Sequence, residues 1–250
     1  MSFKVSVQIS CYDSIPSVIF YLLKLRDGHY ENINDDTKLG LNLSIILNSA
    51  CFIEGALESA LKKVVEKRSF KKKYDDPFIY ELITELESRI QRTTGIANYG
   101  IIFRTIFGTS IKEVGDLASL WEGLSILFQL RNLIAHGRPL STTTNTLELD
   151  ISNYLEESKF DLLLNTELRH GSFGQIREYL IKNNIIQKRF SKNTGDSEYV
   201  NNKVADHFWY ISLMFLYKLC NHIPRGDRTS FKDGIGYNFI KIWVKKFDFV

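Results

Sequence analysis

Arg131 and His136 are the two side chains whose types and spacing could do chemistry together. They lie in Leu130-Arg131-Asn132-Leu133-Ile134-Ala135-His136-Gly137, at the end of an apolar-periodic stretch. Histidine titrates at about pH 6.5, so it gives or accepts a proton near neutrality. Arginine keeps its charge, and its planar fork matches phosphate oxygens. The pair suits metal-free cleavage of an RNA phosphodiester. In that reaction the 2′-hydroxyl attacks the adjacent phosphorus, histidine moves a proton, and arginine steadies the developing charge. No carboxylate cluster lies nearby in the sequence to suggest a metal route, and no cofactor is expected. The plainer account is that His136 only meets the last helical carbonyls and that Arg131 is a solvated surface charge.

Geometry constrains the first account. On a regular helix Arg131 and His136 project about 140° apart, whereas Asn132 and His136, four apart, share a face. Either Arg131 reaches round, or the last turn distorts near Gly137. Glu54 adds a second question, because it falls amid apolar residues where an unpaired carboxylate is costly. It either pairs with Arg131, fixing the Arg rotamer, or sits at the stripe's edge in water.

The elements that must position these groups read as helices. Ser14 to Arg26 forms a short helix with Ser14 as cap and Asp27-Gly28 as stop. From Thr37 to about Arg68, Leu43, Ile46, Leu47, Ala50, Ile53, Ala56, Leu57, Ala60, Leu61 and Val64 place one broad apolar stripe on a single face. Pro77 opens a helix that runs to about Thr93. Gly95 to Gly108 reads as a short helix, and Asp116, as cap, starts the helix that ends at Ala135. Gly137-Arg138-Pro139 stops it. Later helices are expected at about Ser172–Ile186 and Ser197–His222, followed by a basic, glycine-containing tail. Residues 3–9 and 147–151 alternate with period two and read as minor strands. The expected fold is mainly α, a helical bundle with one or two minor strands. The expected divisions are 1–36, 37–140 with the motif, and 141–250 as a helical extension packed on the same core.

The motif string resembles the Arg-x-x-x-x-His signature of the HEPN superfamily, written here as Arg131-Asn132-Leu133-Ile134-Ala135-His136. Asn after the Arg and Gly after the His are common in that family and occur as Asn132 and Gly137. The resemblance covers roughly residues 37–140, including the long upstream helix with Phe52-Ile53-Glu54-Gly55-Ala56-Leu57-Glu58. It implies a HEPN-like bundle that dimerises, so that Arg and His of both subunits meet in one cleft. It also implies a metal-independent endoribonuclease of a toxin–antitoxin or antiviral-defence system, with an antitoxin or defence-system protein as partner. The alternative it carries is a catalytically inactive module that binds RNA, a nucleotide or a protein. By carry-over, Arg131 binds the phosphate, His136 is its acid/base partner, and Asn132 orients the site. One subgroup has a modified Tyr two positions after the His. This chain has Arg138 there, a departure that puts that mode of control in doubt and offers a further phosphate contact.

Charge elsewhere is less pointed. Lys62, Lys63, Lys67, Arg68, Lys71, Lys72 and Lys73 either grip an RNA backbone or form a solvated helix end. Glu66, Asp75 and Asp76 dilute their field and favour the second account. Arg225, Arg228 and Lys232 form a looser basic set. His207, Trp209, Tyr210, Phe215 and Tyr217 read as core or as a dimer face, with base stacking the lesser account.

Composition narrows the class. The 250 residues carry a net charge of +3 and are 44% hydrophobic, which excludes disorder over most of the chain. Cys11, Cys51 and Cys220 are too sparse for a disulfide framework or a zinc site. No signal-peptide core is seen, and the run Phe208–Tyr217 is about half the ~20 residues needed to cross a bilayer. A cytoplasmic protein without a membrane partner is expected.

Overall fold

The computed structural model describes residues 14–28, 33–70, 77–136, 172–186 and 199–247. The described chain is mainly α, and no strand occurs among the described residues. The two expected strands, at residues 3–9 and 147–151, lie outside them.

Helix α1 spans Ile15–Asp27 and ends where the Gly28 N–H donates to the Lys24 carbonyl at 2.9 Å. Helix α2, Asp35–Phe70, begins two residues before the expected Thr37. The reason is local: the Asn34 side chain accepts from the Thr37 N–H at 2.8 Å, and Asp35 and Asp36 in the first turn complement the helix dipole. Helix α3 is Pro77–Arg92, and α4 is Ile96–Phe107. Gly108 closes α4 in the left-handed region at φ 75°. Two short 3-10 turns, Ile111–Glu113 and Gly115–Leu117, lead into α5, Ala118–Ala135. The chain continues as α6 (Ser172–Lys182), α7 (Asn202–His222), α8 (Arg225–Ile235) and α9 (Tyr237–Phe247).

Three expectations change. Asp116 does not cap α5: it lies in a 3-10 turn, and its carboxylate bonds Lys218 at 3.1 Å and His222 at 3.1 Å on α7. A long-range ion pair has replaced the local cap. The C-terminal stretch is not a tail but two helices, α8 and α9, joined at Gly236 with φ 66°. Phe231 and Ile235 of α8 and Ile240 and Val244 of α9 are buried, an apolar pattern that the intervening charges and glycines obscure in the sequence. The stripe on α2 is also wider than one face, because Ile45, Phe52 and Val65 are buried as well.

That width follows from position. Helix α2 is the hub of the bundle, packed by α1, α3, α4, α5, α7 and α8. It contains a window of mean hydropathy 1.4, and its 36 residues could span a bilayer by length, but its apolar residues form the centre of the core. The face Val204, Phe208, Ile211, Phe215 and Leu219 of α7 joins the same core. The described residues from 172 onward therefore share one apolar cluster with the motif-bearing helix. Helix α8 packs tightly on α2: a Cβ on Gly234 would overlap the Ala60 backbone.

Candidate active site at the end of helix α5

Helix α5 buries Trp121, Leu124, Leu127, Phe128 and Leu130. These contacts fix the helix axis and hence the direction of its last turn. Arg131 follows on the flank facing α2. Its guanidinium passes over the Phe128 ring, 5.2 Å from the centroid, and its Nη2 donates to Glu54 Oε2 at 2.8 Å. The side chains of Arg131 and Glu54 are only 25% and 20% exposed, so this pair is partly shielded from water. Of the two placements open to Glu54, the paired one is observed.

Glu54 uses its second oxygen as well. Its Oε1 accepts from the backbone N–H of Gly95 at 2.7 Å. Gly95 has φ 81° and ψ 139°, a conformation that side-chain-bearing residues rarely adopt. One carboxylate thus ties the middle of α2, the start of α4 and the end of α5. Tyr99 steadies the same turn, its hydroxyl donating to the Thr93 carbonyl at 3.1 Å. Burial, with the charges of Glu58 and Glu54, pushes the Tyr99 phenol upward, so it stays a neutral donor.

Asn132 is exposed and accepts from Arg131 Nη1 at 3.0 Å, completing a Glu54–Arg131–Asn132 chain of hydrogen bonds. The Arg131 Nε is buried and has no partner among the described residues. His136 occupies the C-cap, where its own N–H donates to the Asn132 carbonyl at 3.1 Å. Its imidazole is exposed and has no hydrogen-bond partner among the described residues. Arg131 turns toward α2, while His136 continues the line of Gln129 and Asn132 on another flank of α5. The helix stays regular through Ala135, so the divergence expected from a regular helix holds within one chain.

The surroundings of Arg131 are acidic. Burial and then the Glu54 charge push the Cys51 thiol above its usual range, which keeps it a poor nucleophile. Burial also raises the Glu58 carboxyl; Lys62 opposes this and Glu54 adds to it. A phosphate approaching Arg131 meets a cation whose charge Glu54 already offsets.

Arg138, Lys71, Lys72 and Lys73 lie outside the described residues. The rest of the basic run is largely taken up within the fold. Lys63 donates to the Asp233 carbonyl at 3.1 Å, Lys67 to the Gly226 carbonyl, and Arg68 pairs with Asp227 at 2.6 Å. Arg228 likewise donates to the Asn221 and Ile223 carbonyls, closing the end of α7. Trp209 and Phe215 are core, with Tyr210 and Tyr217 half-buried beside them. His207 accepts or donates at 2.9 Å with the Tyr179 hydroxyl. Among the described residues, no trio of His, Cys, Asp and Glu converges as a metal-binding set would.

The sequence offers the Arg131–Glu54 pair as one of two placements and Asn132 as a helper on the face of His136, and gives no sign of Gly95 or Phe128 as partners. The signal for Gly95 was a Thr93-Thr94-Gly95 break between two helical patterns, which marks a turn without saying what bonds to it. Compared with family models, curated proteins and solved structures, the chain finds no match in any of the three.

Proposed function

We propose that the chain is a metal-independent endoribonuclease of HEPN type that acts as a homodimer, in a toxin or antiviral-defence role. The observation that carries this reading is the pre-set Arg131, held by Glu54 at the rim of a buried helix, five residues before an exposed His136 whose imidazole has no partner among the described residues. In the proposed reaction, Arg131 binds a non-bridging phosphate oxygen and Asn132 orients its fork. His136 takes the proton from the 2′-hydroxyl or delivers one to the departing 5′-oxygen. Because Arg131 and His136 diverge within one chain, a productive centre combines groups from two copies. The competing reading is a catalytically inactive module that binds RNA, a nucleotide or a protein. The neutralising Glu54 favours it, since a paired arginine grips phosphate less strongly.

The test is RNA cleavage in excess chelator by wild type, Arg131→Ala and His136→Ala. General acid–base help is worth roughly 10²–10⁴ in rate, so each variant is expected to lose at least that order of activity. Equal cleavage by all three proteins, or none by wild type, overturns the proposal.

A further inference from the structure

The turn that Glu54 holds is also one wall of a cleft. Between the last turns of α3 and the start of α4 lies a cavity of about 420 Å³, lined by Ser88, Arg89, Arg92, Thr93, Thr94 and Asn98. Its origin is the amphipathicity of α3. Ile83, Leu86 and Ile90 pack toward the core, which leaves the flank bearing Ser88, Arg89 and Arg92 turned outward.

Four of the polar side chains here have no partner among the described residues. Arg89 and Arg92 are exposed, and among the described residues neither guanidinium has a hydrogen bond or ion pair. The same holds for the hydroxyls of Ser88 and Thr94. Thr93 gives its proton to the Arg89 carbonyl at 2.7 Å, and Asn98 spends one amide proton on the Thr94 carbonyl at 2.8 Å, keeping the other. Glu85 is the one acid on the cleft wall, against two arginines. This differs from the basic run on α2, whose Lys63, Lys67 and Arg68 are occupied by α8. It differs also from the larger cavity of about 620 Å³ between α5 and α6, where Lys112 and Lys182 balance Glu122 and Glu178. Lys182 is moreover paired with Glu122 at 3.2 Å.

Two free guanidinium forks beside free hydroxyls are a donor set for phosphate oxygens. Location gives the set its meaning. Thr94 adjoins Gly95, whose N–H bonds Glu54, which in turn bonds Arg131. We infer that this cleft is a backbone-phosphate subsite for the RNA strand whose scissile phosphodiester is held at Arg131. The inference rests on the endoribonuclease reading for the identity of its ligand.

The experiment measures binding of a labelled single-stranded RNA, 2′-O-methylated throughout so that it cannot be cleaved, by fluorescence anisotropy over a range of salt concentrations. The full-length protein is compared with the Arg89→Gln/Arg92→Gln variant and with Arg104→Gln, an exposed α4 arginine outside the cleft. Circular dichroism and melting confirm that each is folded. Each phosphate contact adds about 0.7 to the slope of log K against log salt for single strands, so the double variant should lose about 1.4, or about 0.7 if both forks share one phosphate. Arg104→Gln should keep the wild-type slope. An unchanged slope and affinity in the double variant overturns the subsite. If wild type still cleaves RNA in that case, the catalytic reading stands. A reduced slope with no cleavage by wild type has the reverse meaning: the cleft binds RNA in an inactive module.

Discussion

Breaking the Glu54–Arg131 pair gives a stability effect whose size follows from the geometry. Glu54 accepts two hydrogen bonds, from Arg131 at 2.8 Å and from the Gly95 amide at 2.7 Å. Glu54→Gln keeps an acceptor for Gly95 but removes the charge facing Arg131. Hydrogen bonds to charged groups contribute about 1.5–3 kcal/mol, and exposed ion pairs only about 0.2–1. With side chains 20–25% exposed, the pair lies between these limits. Glu54→Gln should therefore cost about 1–2 kcal/mol, and Glu54→Ala, which also orphans the Gly95 amide, about 3. The assay is a double-mutant cycle with Arg131→Met, read by urea denaturation. The expected coupling is about 1 kcal/mol, with only modest loss in high salt because the pair is shielded. A coupling below about 0.3 kcal/mol, the usual additivity error, would refute the claim that Glu54 fixes Arg131.

Other consequences are separately testable. Gly95→Ala should destabilise by about 1–3 kcal/mol through backbone conformation alone, since no atom lies within 4 Å of the added Cβ; unchanged denaturation would show that the turn tolerates a side chain. Gly234→Ala drives a methyl into the Ala60 backbone and should cost about 1–3 kcal/mol or more, a drop of several degrees in melting temperature. An unaltered melting temperature would contradict the close α2–α8 crossing. Burial holds the His207 imidazole down to about 4, against an unfolded value of 6.5. The unfolded chain therefore binds the proton more readily between those values. Stability should fall as pH drops through this window, by up to about 1.4 kcal/mol per pH unit, and His207→Asn should remove that part of the slope. Parallel pH profiles for the two proteins would show that His207 is not held neutral.

The sequence makes α2, α3 and α5 legible because each carries a long apolar period that only a helix satisfies. It also isolates Arg131 and Glu54, one by its spacing from His136, the other by the cost of a lone carboxylate among apolar neighbours. The rest depends on contacts between distant residues. Asp116 looks like a cap until α7 brings Lys218 and His222 to it. Lys63, Lys67 and Arg68 read as a solvated helix end, or less favourably as an RNA grip, until α8 presents carbonyls and Asp227 to them. Helices α8 and α9 are short, at 11 residues each, too short to hold alone in water, so their stability comes from burying Phe231, Ile235, Ile240 and Val244 against the rest of the fold. Gly95 is invisible as a site residue because its contribution is a backbone N–H, which no side-chain pattern encodes.

In the proposed function, Arg131 and His136 cleave RNA through its own 2′-hydroxyl. The most direct measurement is the cleavage rate of one oligonucleotide pair in excess chelator, all-ribose against 2′-deoxy at the scissile position, with wild type and His136→Ala. The account predicts cleavage of the all-ribose strand alone, leaving a cyclic phosphate end, and a rate roughly 10²–10⁴ lower in His136→Ala. Cleavage of the deoxy-substituted strand at a comparable rate, or an undiminished rate in His136→Ala, would contradict it.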